Sequence, residues 1–174
     1  TELLERAVRS IKQGKLPDVD DVDARGADIE LHVPALIPED YLPDVHTRLM
    51  LYKRISSARD IDKLRELQVE MIDRFGLLPD PAKHLFQIAD LKLQATALGL
   101  RKLDLGDTGG RVQFVEKPKV DPMAVIRLIQ GQPKHYKMDG PDKLRITVDV
   151  PDAETRIQAA RGLLIALAPS QAAK

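Results

Sequence analysis

Four acidic residues share one side of the helix predicted between Ile61 and Phe75. At 100° per residue they fall within an arc of roughly 80°, and they are Asp62, Glu66, Glu70 and Asp73. Like charges four residues apart destabilise an isolated helix by about 0.2–0.5 kcal/mol per pair. Neighbouring carboxylates of this kind are suited to bind a cationic group such as a guanidinium. The pattern is also typical of an ordinary solvated face, and periodicity alone favours that plainer interpretation.

The apolar residues of the same helix predict which side is buried. They form a stripe opposite the acidic residues, consisting of Ile61, Leu64, Leu67, Met71, Ile72 and Phe75. General acid–base catalysis at neutral pH needs a carboxylate in an apolar pocket, because burial is what raises its pKa. Since Glu66, Glu70 and Asp73 lie opposite the predicted core, the pattern favours binding over catalysis.

Other candidate chemistry is weakly supported. Residues 106–110 contain three glycines, but no Gly-Lys-Ser/Thr follows them, and they lie between two predicted strands, so a hairpin turn is favoured over a phosphate cradle. The sequence has no Gly-x-Ser-x-Gly elbow of a serine hydrolase. The histidines are too widely spaced to predict a metal site, and they are His32, His46, His84 and His135. We therefore predict no catalytic residue, no metal and no cofactor.

Composition restricts the class of protein. The chain has 174 residues, of which 43% are hydrophobic and 31% charged, with 27 basic and 27 acidic side chains. This balance gives no overall field that attracts nucleic acid, and three Phe, three Tyr and no Trp provide little surface for stacking bases. Cysteine is absent, which excludes disulfides and is compatible with a reducing cytoplasm. No apolar run approaches the roughly 20 residues that span a bilayer.

Periodicity predicts a mostly helical first half. A helix at 1–13 and a connector at 15–27 precede a short strand at 29–33 and an arm that contains three prolines. Three helices follow; Asp44 and Asp60 are the predicted N-caps of the first two, and Asp80-Pro81 begins the third. The apolar residues assigned to the first of them are Val45, Leu49, Tyr52 and Ile55.

The second half reads β-β-α-β-β-α, with hairpin turns at 106–110 and 139–142. The predicted fold class is therefore α+β, in which a helical first half packs on a small antiparallel or mixed sheet. We divide the chain into a lead-in helix and linker at 1–27, a domain at 28–168 and a tail at 169–174. Within the domain, 28–100 is the helical part and 101–168 the α/β part. Because the chain begins in the middle of an amphipathic pattern, we interpret it as a fragment of a longer protein.

Two long motifs carry a resemblance to a known family. Residues 42–55 (LPDVHTRLMLYKRI) and 72–81 (IDRFGLLPDP) are similar to the C-terminal module of the bacterial transcription-repair coupling factors, as are residues 29–38 and 134–141. The resemblance covers residues 28–167, and residues 1–15 look like the helix that ends the adjoining motor. It identifies the chain as a non-catalytic module of an ATP-dependent double-stranded DNA translocase that acts in the bacterial cytoplasm.

The resemblance also implies partners. In that family the full-length protein displaces stalled RNA polymerase and recruits the excision-repair damage sensor, and the C-terminal module acts as an autoinhibitory clamp on the N-terminal module. The implied contact residues are Glu70 and Asp73, with Glu66 as a third member, facing arginines of the N-terminal module. A DNA-binding accessory domain and a hydrolase with an unrecognised site are the alternatives.

Overall fold

The computed structural model describes residues 26–169. The predicted helix at 1–13 and most of the predicted linker and tail lie outside the described residues. The first half contains strand β1 (Asp28–Glu30) and the helices α1 (Val45–Ser57), α2 (Ile61–Phe75) and α3 (Asp80–Leu98). The second half contains β2 (Leu100–Leu105), β3 (Gly109–Phe114), α4 (Pro122–Gly131), β4 (Tyr136–Met138), β5 (Lys143–Thr147) and α5 (Ala153–Leu167). This order confirms the predicted α+β class.

The five strands form one mixed sheet in the order β1-β2-β3-β5-β4. Both predicted hairpins are present, since β2 pairs with β3 and β4 with β5 in antiparallel register. Pairing between β3 and β5 joins the two hairpins. Strand β1 lies parallel to β2, with Ile29 opposite Leu103, so the three helices of the first half form the crossover between these two strands.

The helix boundaries follow local capping chemistry. The carboxylates of Asp44, Asp60 and Asp152 each accept a hydrogen bond from the backbone N–H three residues further on, as expected of N-cap residues. Helix α3 differs from the prediction, because Pro79 is its N-cap, Asp80 is already helical and no side chain caps it. It ends as predicted at Gly99, whose φ of 80° is the left-handed conformation that favours glycine.

Two apolar clusters hold these elements together. One lies between the sheet and the helices α3 and α5, and Leu91, Leu103 and Leu164 are among its fully buried members. The other lies among α1, α2 and the first half of α3, and includes Leu64 and Phe86. Helix α3 contributes to both clusters and so fixes the helical layer relative to the sheet. The boundaries at 28 and 168 stay predictions.

The predicted core face of helix α1 is confirmed at Ile55 and wrong at Val45 and Leu49. Leu51 and Ile55 are only 2% and 5% exposed, whereas Val45 and Leu49 are 57% and 40% exposed. Packing against α2 and α3 buries a stripe through Leu51 and Ile55 and leaves Val45 and Leu49 outside it. Tyr52 lies beside that stripe, where its hydroxyl accepts a hydrogen bond of 2.7 Å from the backbone N–H of Ile37.

A buried arginine joins three segments of the fold. Arg156 of α5 is 6% exposed, and its guanidinium donates to the carbonyl oxygens of Leu31, His32, Val150 and Pro151 at 2.9–3.3 Å. These bonds tie α5 to the loops that follow β1 and β5. They also hold His32 at φ 55°, the left-handed region that a side chain other than glycine rarely occupies. No periodicity argument predicts this residue as part of the core.

Candidate functional site

Helix α2, which carries the acidic residues, is fixed at both ends. Its N-terminus is capped by Asp60, whose carboxylate accepts from the Lys63 N–H at 2.9 Å. At its C-terminus the Tyr41 hydroxyl lies 3.2 Å from the carbonyl oxygen of Met71 and 2.8 Å from that of Gly76. Buried side chains between the two ends, Leu64, Leu67 and Met71, hold the helix on the core. The side of α2 that faces away from the core, and that carries the acidic residues, therefore belongs to a rigid element.

The three carboxylates implied by the family resemblance lie on this helix, away from the buried stripe, but in different surroundings. Glu66 is the most open, with 69% of its side chain exposed, and Lys63 approaches it at 3.6 Å. Asp73 is exposed, and its carboxylate makes no hydrogen bond or ion pair with any residue between 26 and 169. Glu70 is only 36% exposed and lies on the side of the helix that faces α1.

Glu70 is already paired within the fold. Arg54 of α1 donates from Nη1 to Oε2 at 2.6 Å and from Nη2 to Oε1 at 3.1 Å, the parallel arrangement of a bidentate pair. Arg74, one turn along α2, lies 3.5 Å from Oε2. The hydrogen bonds from Arg54 lower the pKa of Glu70 below its ordinary value, and the positive charges of Arg54 and Arg74 act in the same direction.

Two basic residues of α1 are engaged within the fold. Arg54 pairs with Glu70. Arg48 donates from Nη1 to the carbonyl oxygens of Leu42 and Pro43 at 2.7 and 3.1 Å, and so anchors the proline-containing arm to α1.

The predicted core stripe of α2 is wrong at one position. Ile72 is 36% exposed, because it lies at the edge of the stripe rather than over the core formed by Leu64, Leu67 and Met71. Val69, which the stripe analysis left unassigned, is 58% exposed on the outer face. Apolar side chains therefore lie beside the acidic ones.

One group of side chains in the described range has the composition of a cation site. Single ligand atoms of Glu30, His32 and Asp104 lie within 4.8 Å of one another. His32 Nε2 is 2.7 Å from Asp104 Oδ1, and the ammonium group of Lys102 is 3.7 Å from Glu30. Each of the three side chains therefore already has a hydrogen-bonding or ion-pair partner within the protein. Histidine spacing did not indicate this group, because parallel pairing of β1 with β2 brings His32 close to Asp104, which is 72 positions away in sequence.

The glycine-rich segment is confirmed as a hairpin turn. A Cβ on Gly110 would lie 1.8 Å from the carbonyl oxygen of Asp104, and one on Gly109 would lie 2.1 Å from that of Ile146. Neighbouring strands therefore occupy the space that a side chain would need, which is why glycine is required at both positions. Across residues 26–169, no helix combines the length and apolar character needed to cross a membrane.

The mixed sheet, the two-cluster core and the outward acidic face of α2 define a small α+β domain. A sequence profile of the family described as "TRCF domain" matches residues 31–125, the segment that contains the acidic face. The chain belongs to this family, that of the transcription-repair coupling factors.

Individual relatives agree with this assignment. The transcription-repair-coupling factor of Escherichia coli K12 is 48% identical over 92% of the chain, and that of Haemophilus influenzae is 45% identical over 96%. The chain spans only 14% and 15% of these two proteins. A crystal structure of the C-terminal domain of transcription-repair coupling factor has the same fold, with a TM-score of 0.66 at 23% identity, and covers 82% of the chain and 89% of that domain.

Proposed function

We propose that this chain is a non-catalytic regulatory domain of a transcription-repair coupling factor. In this proposal it keeps the parent protein inactive by binding a basic surface of the parent's N-terminal module through the outer face of α2. The observation that carries the proposal is the position of Glu66, Glu70 and Asp73, which lie away from the core on a helix held at both ends. RNA polymerase and the excision-repair damage sensor are then indirect partners, and the bacterial cytoplasm is the expected compartment.

The character of the carboxylates supports a contact that opens and closes. Exposed ion pairs stabilise a contact by about 0.2–1 kcal/mol each, so a few of them make a clamp that can be released. Because both modules belong to one parent chain, their effective concentration is high, and weak pairs suffice to keep the clamp closed. None of the three carboxylates lies in an apolar pocket of the kind that acid–base catalysis requires.

The DNA-binding alternative receives little support from the basic residues of α1. The guanidinium groups of Arg48 and Arg54 are engaged with backbone carbonyls and with Glu70, so they are not free to neutralise phosphates. Binding to duplex DNA depends on such free cations along one face. Tight binding of this chain to duplex DNA in a low-salt gel shift would favour the alternative.

The proposal is tested by adding the N-terminal module of the parent protein in trans and measuring its affinity for this chain by calorimetry. We expect association that weakens as salt is raised, because charge contacts are screened. The double variant Glu70→Lys/Asp73→Lys should bind at least about tenfold more weakly, because it loses two attractions and adds two repulsions.

The matched control is Glu116→Lys/Asp149→Lys. It makes the same change in net charge at two exposed acidic residues that are not on α2 and form no ion pair with the described residues. Its affinity should stay close to that of the unmodified chain. Absence of association by the unmodified chain, or equal weakening by both double variants, would contradict the proposal.

A further inference from the structure

Apolar side chains lie beside the acidic face of α2. Val69 is 58% exposed and, by the helical wheel, points within roughly 40° of Asp73. It lines a shallow depression of about 510 Å³ together with Arg65, Glu66, Glu70, Asp73 and Arg74. Ile72 and Leu77, 36% and 84% exposed, continue the apolar surface toward and beyond the end of the helix. Val69 is therefore an exposed apolar side chain at the edge of the acidic face, with charged neighbours on several sides.

The carboxylates around Val69 differ in what they still offer to a partner. Arg54 occupies both oxygens of Glu70 in a bidentate pair, which is the arrangement an incoming guanidinium would also seek. Asp73 has neither a hydrogen bond nor an ion pair with residues 26–169. Of these two residues, Asp73 is the one whose carboxylate can accept a partner's guanidinium without breaking a contact.

We propose that Val69 is the apolar anchor of the docking surface and that Arg54 competes with the partner for Glu70. The inference rests on the proposed function, and the partner is the same basic surface of the N-terminal module. That surface should present an apolar side chain for Val69, flanked by arginine or lysine. Binding energy at interfaces concentrates in a few central side chains shielded from water, and a charged rim supplies orientation.

Competition by Arg54 has a direct consequence for release. A partner guanidinium reaches Glu70 only by sharing it with Arg54 or displacing Arg54. The free energy gained from the new contact is therefore reduced by the cost of weakening the Arg54–Glu70 pair. Arg54 therefore weakens the closed form, and its removal should strengthen it. Arg74, at 3.5 Å from the same carboxylate, is positioned to hold Glu70 on the helix surface when Arg54 is absent.

The anchor is tested with Val69→Ser in the binding assay with the N-terminal module. The matched control is Val45→Ser, since Val45 is also a helical valine with nearly the same exposure, 57%, but lies on α1. We expect Val69→Ser to weaken association about fivefold or more, as for a central interface side chain, and Val45→Ser to change it by less than about twofold. Both substitutions are on the surface, and equal melting temperatures would verify that the fold is intact.

The competition is tested with Arg54→Gln against Arg59→Gln. Both variants remove one positive charge, but Arg59 has no ion pair with the described residues. Arg54→Gln should tighten association by about threefold or more relative to Arg59→Gln, because Glu70 becomes available to the partner.

The outcomes separate the two proposals. If the unmodified chain does not bind the N-terminal module, the proposed function fails. If it binds and Val69→Ser has no effect, the proposed function stands and the anchor is wrong. Weaker binding by Arg54→Gln would show that Arg54 positions Glu70 for the partner, which would overturn the competition.

Discussion

Arg54 and Glu70 join helices α1 and α2 through two parallel hydrogen bonds, at 2.6 and 3.1 Å. The pair lies at the edge of the acidic face, where Arg74 adds a third contact to the same carboxylate. An acidic residue that looks available on a helical wheel is thus already engaged by a neighbouring helix. Of the three carboxylates implied by the family resemblance, Glu66 and Asp73 are open to a partner and Glu70 is shared with Arg54.

The Arg54–Glu70 pair should make stability depend on acid pH. The pKa of Glu70 is lowered below its ordinary value of 4.5, so near that pH the unfolded chain binds more protons than the folded one. The contribution of the pair is therefore complete above pH 4.5 and is lost as the pH falls through the lowered pKa. Since Glu70 is partly exposed, we expect Glu70→Gln to destabilise by no more than about 1 kcal/mol at neutral pH.

Urea unfolding of Glu70→Gln and of the unmodified chain, at neutral pH and at about pH 3, measures this effect. The difference between the two proteins should shrink at the lower pH. Asp73→Asn is the control and should show little difference at either pH. A difference for Glu70→Gln that persists unchanged in acid would mean that its charge is not what stabilises the pair.

Substitutions on the buried side of α2 should destabilise the protein, whereas those on its exposed side should have little effect. Leu64 is 2% exposed, and Leu64→Ala should lower the free energy of unfolding by about 2–5 kcal/mol through the cavity it leaves. Glu66→Lys and Asp73→Lys, on the exposed side, should stay within about 0.5 kcal/mol of the unmodified chain. Thermal unfolding of the three variants checks this, and a large loss for either lysine variant would contradict the orientation of the helix.

Local chemistry in the sequence was sufficient to predict much of the fold. The N-caps Asp44 and Asp60 and both hairpins depend on interactions between residues close in sequence, so their signals are visible there. The positions of Glu66, Glu70 and Asp73 on one helix follow in the same way from a period of 3.6 residues. Their role in binding a partner stays a prediction.

What the sequence did not predict depends on contacts between distant residues. The pairing of Arg54 with Glu70 spans 16 positions, and that of Arg156 with Leu31 spans 125. In helix α1, packing against α2 and α3 decides that Leu51 is buried while Val45 and Leu49 are exposed. The exposure of Ile72 and Val69 is likewise set by tertiary packing. A helical wheel gives the direction of each side chain but not how wide an arc of the helix the core covers.

Arg156 should not tolerate replacement by lysine. Its Nη1 donates to one pair of carbonyl oxygens, and its Nε and Nη2 together donate to another pair on the opposite segment, whereas lysine has one nitrogen on a flexible stem. Arg156→Lys should destabilise by about 2–4 kcal/mol, because buried carbonyls lose their donors. Arg161→Lys is the matched control on the same helix, since among residues 26–169 the Arg161 side chain makes a single 3.9 Å contact, to Asp90. Similar losses in denaturant unfolding for both variants would contradict the role of the guanidinium.

Two glycines should give opposite results when they are replaced by alanine. At Gly110 the added methyl group would meet the Asp104 carbonyl at 1.8 Å, which forces β2 and β3 apart, so we expect a loss of at least about 2 kcal/mol. At Gly162, within α5, nothing lies within 4 Å of the added carbon, so Gly162→Ala should stabilise by about 0.4–1 kcal/mol. Melting temperatures of the two variants provide the measurement. A stable Gly110→Ala protein would contradict the close approach of the strands.

The last prediction concerns release of inhibition in the full-length parent protein. Glu70→Lys/Asp73→Lys places positive charges against the proposed basic partner, so the closed form is repelled as well as unpaired. We expect stronger binding of the excision-repair damage sensor and faster nucleotide hydrolysis without RNA polymerase, whereas Glu116→Lys/Asp149→Lys should leave both unchanged. A loss of about 1.4 kcal/mol from the closed form would raise the open-to-closed ratio tenfold. If the reversal leaves sensor binding unchanged while Val69→Ser increases it, the clamp is held by the apolar contact at Val69 and not by charge. If neither variant changes sensor binding, the outer face of α2 is not what keeps the parent closed.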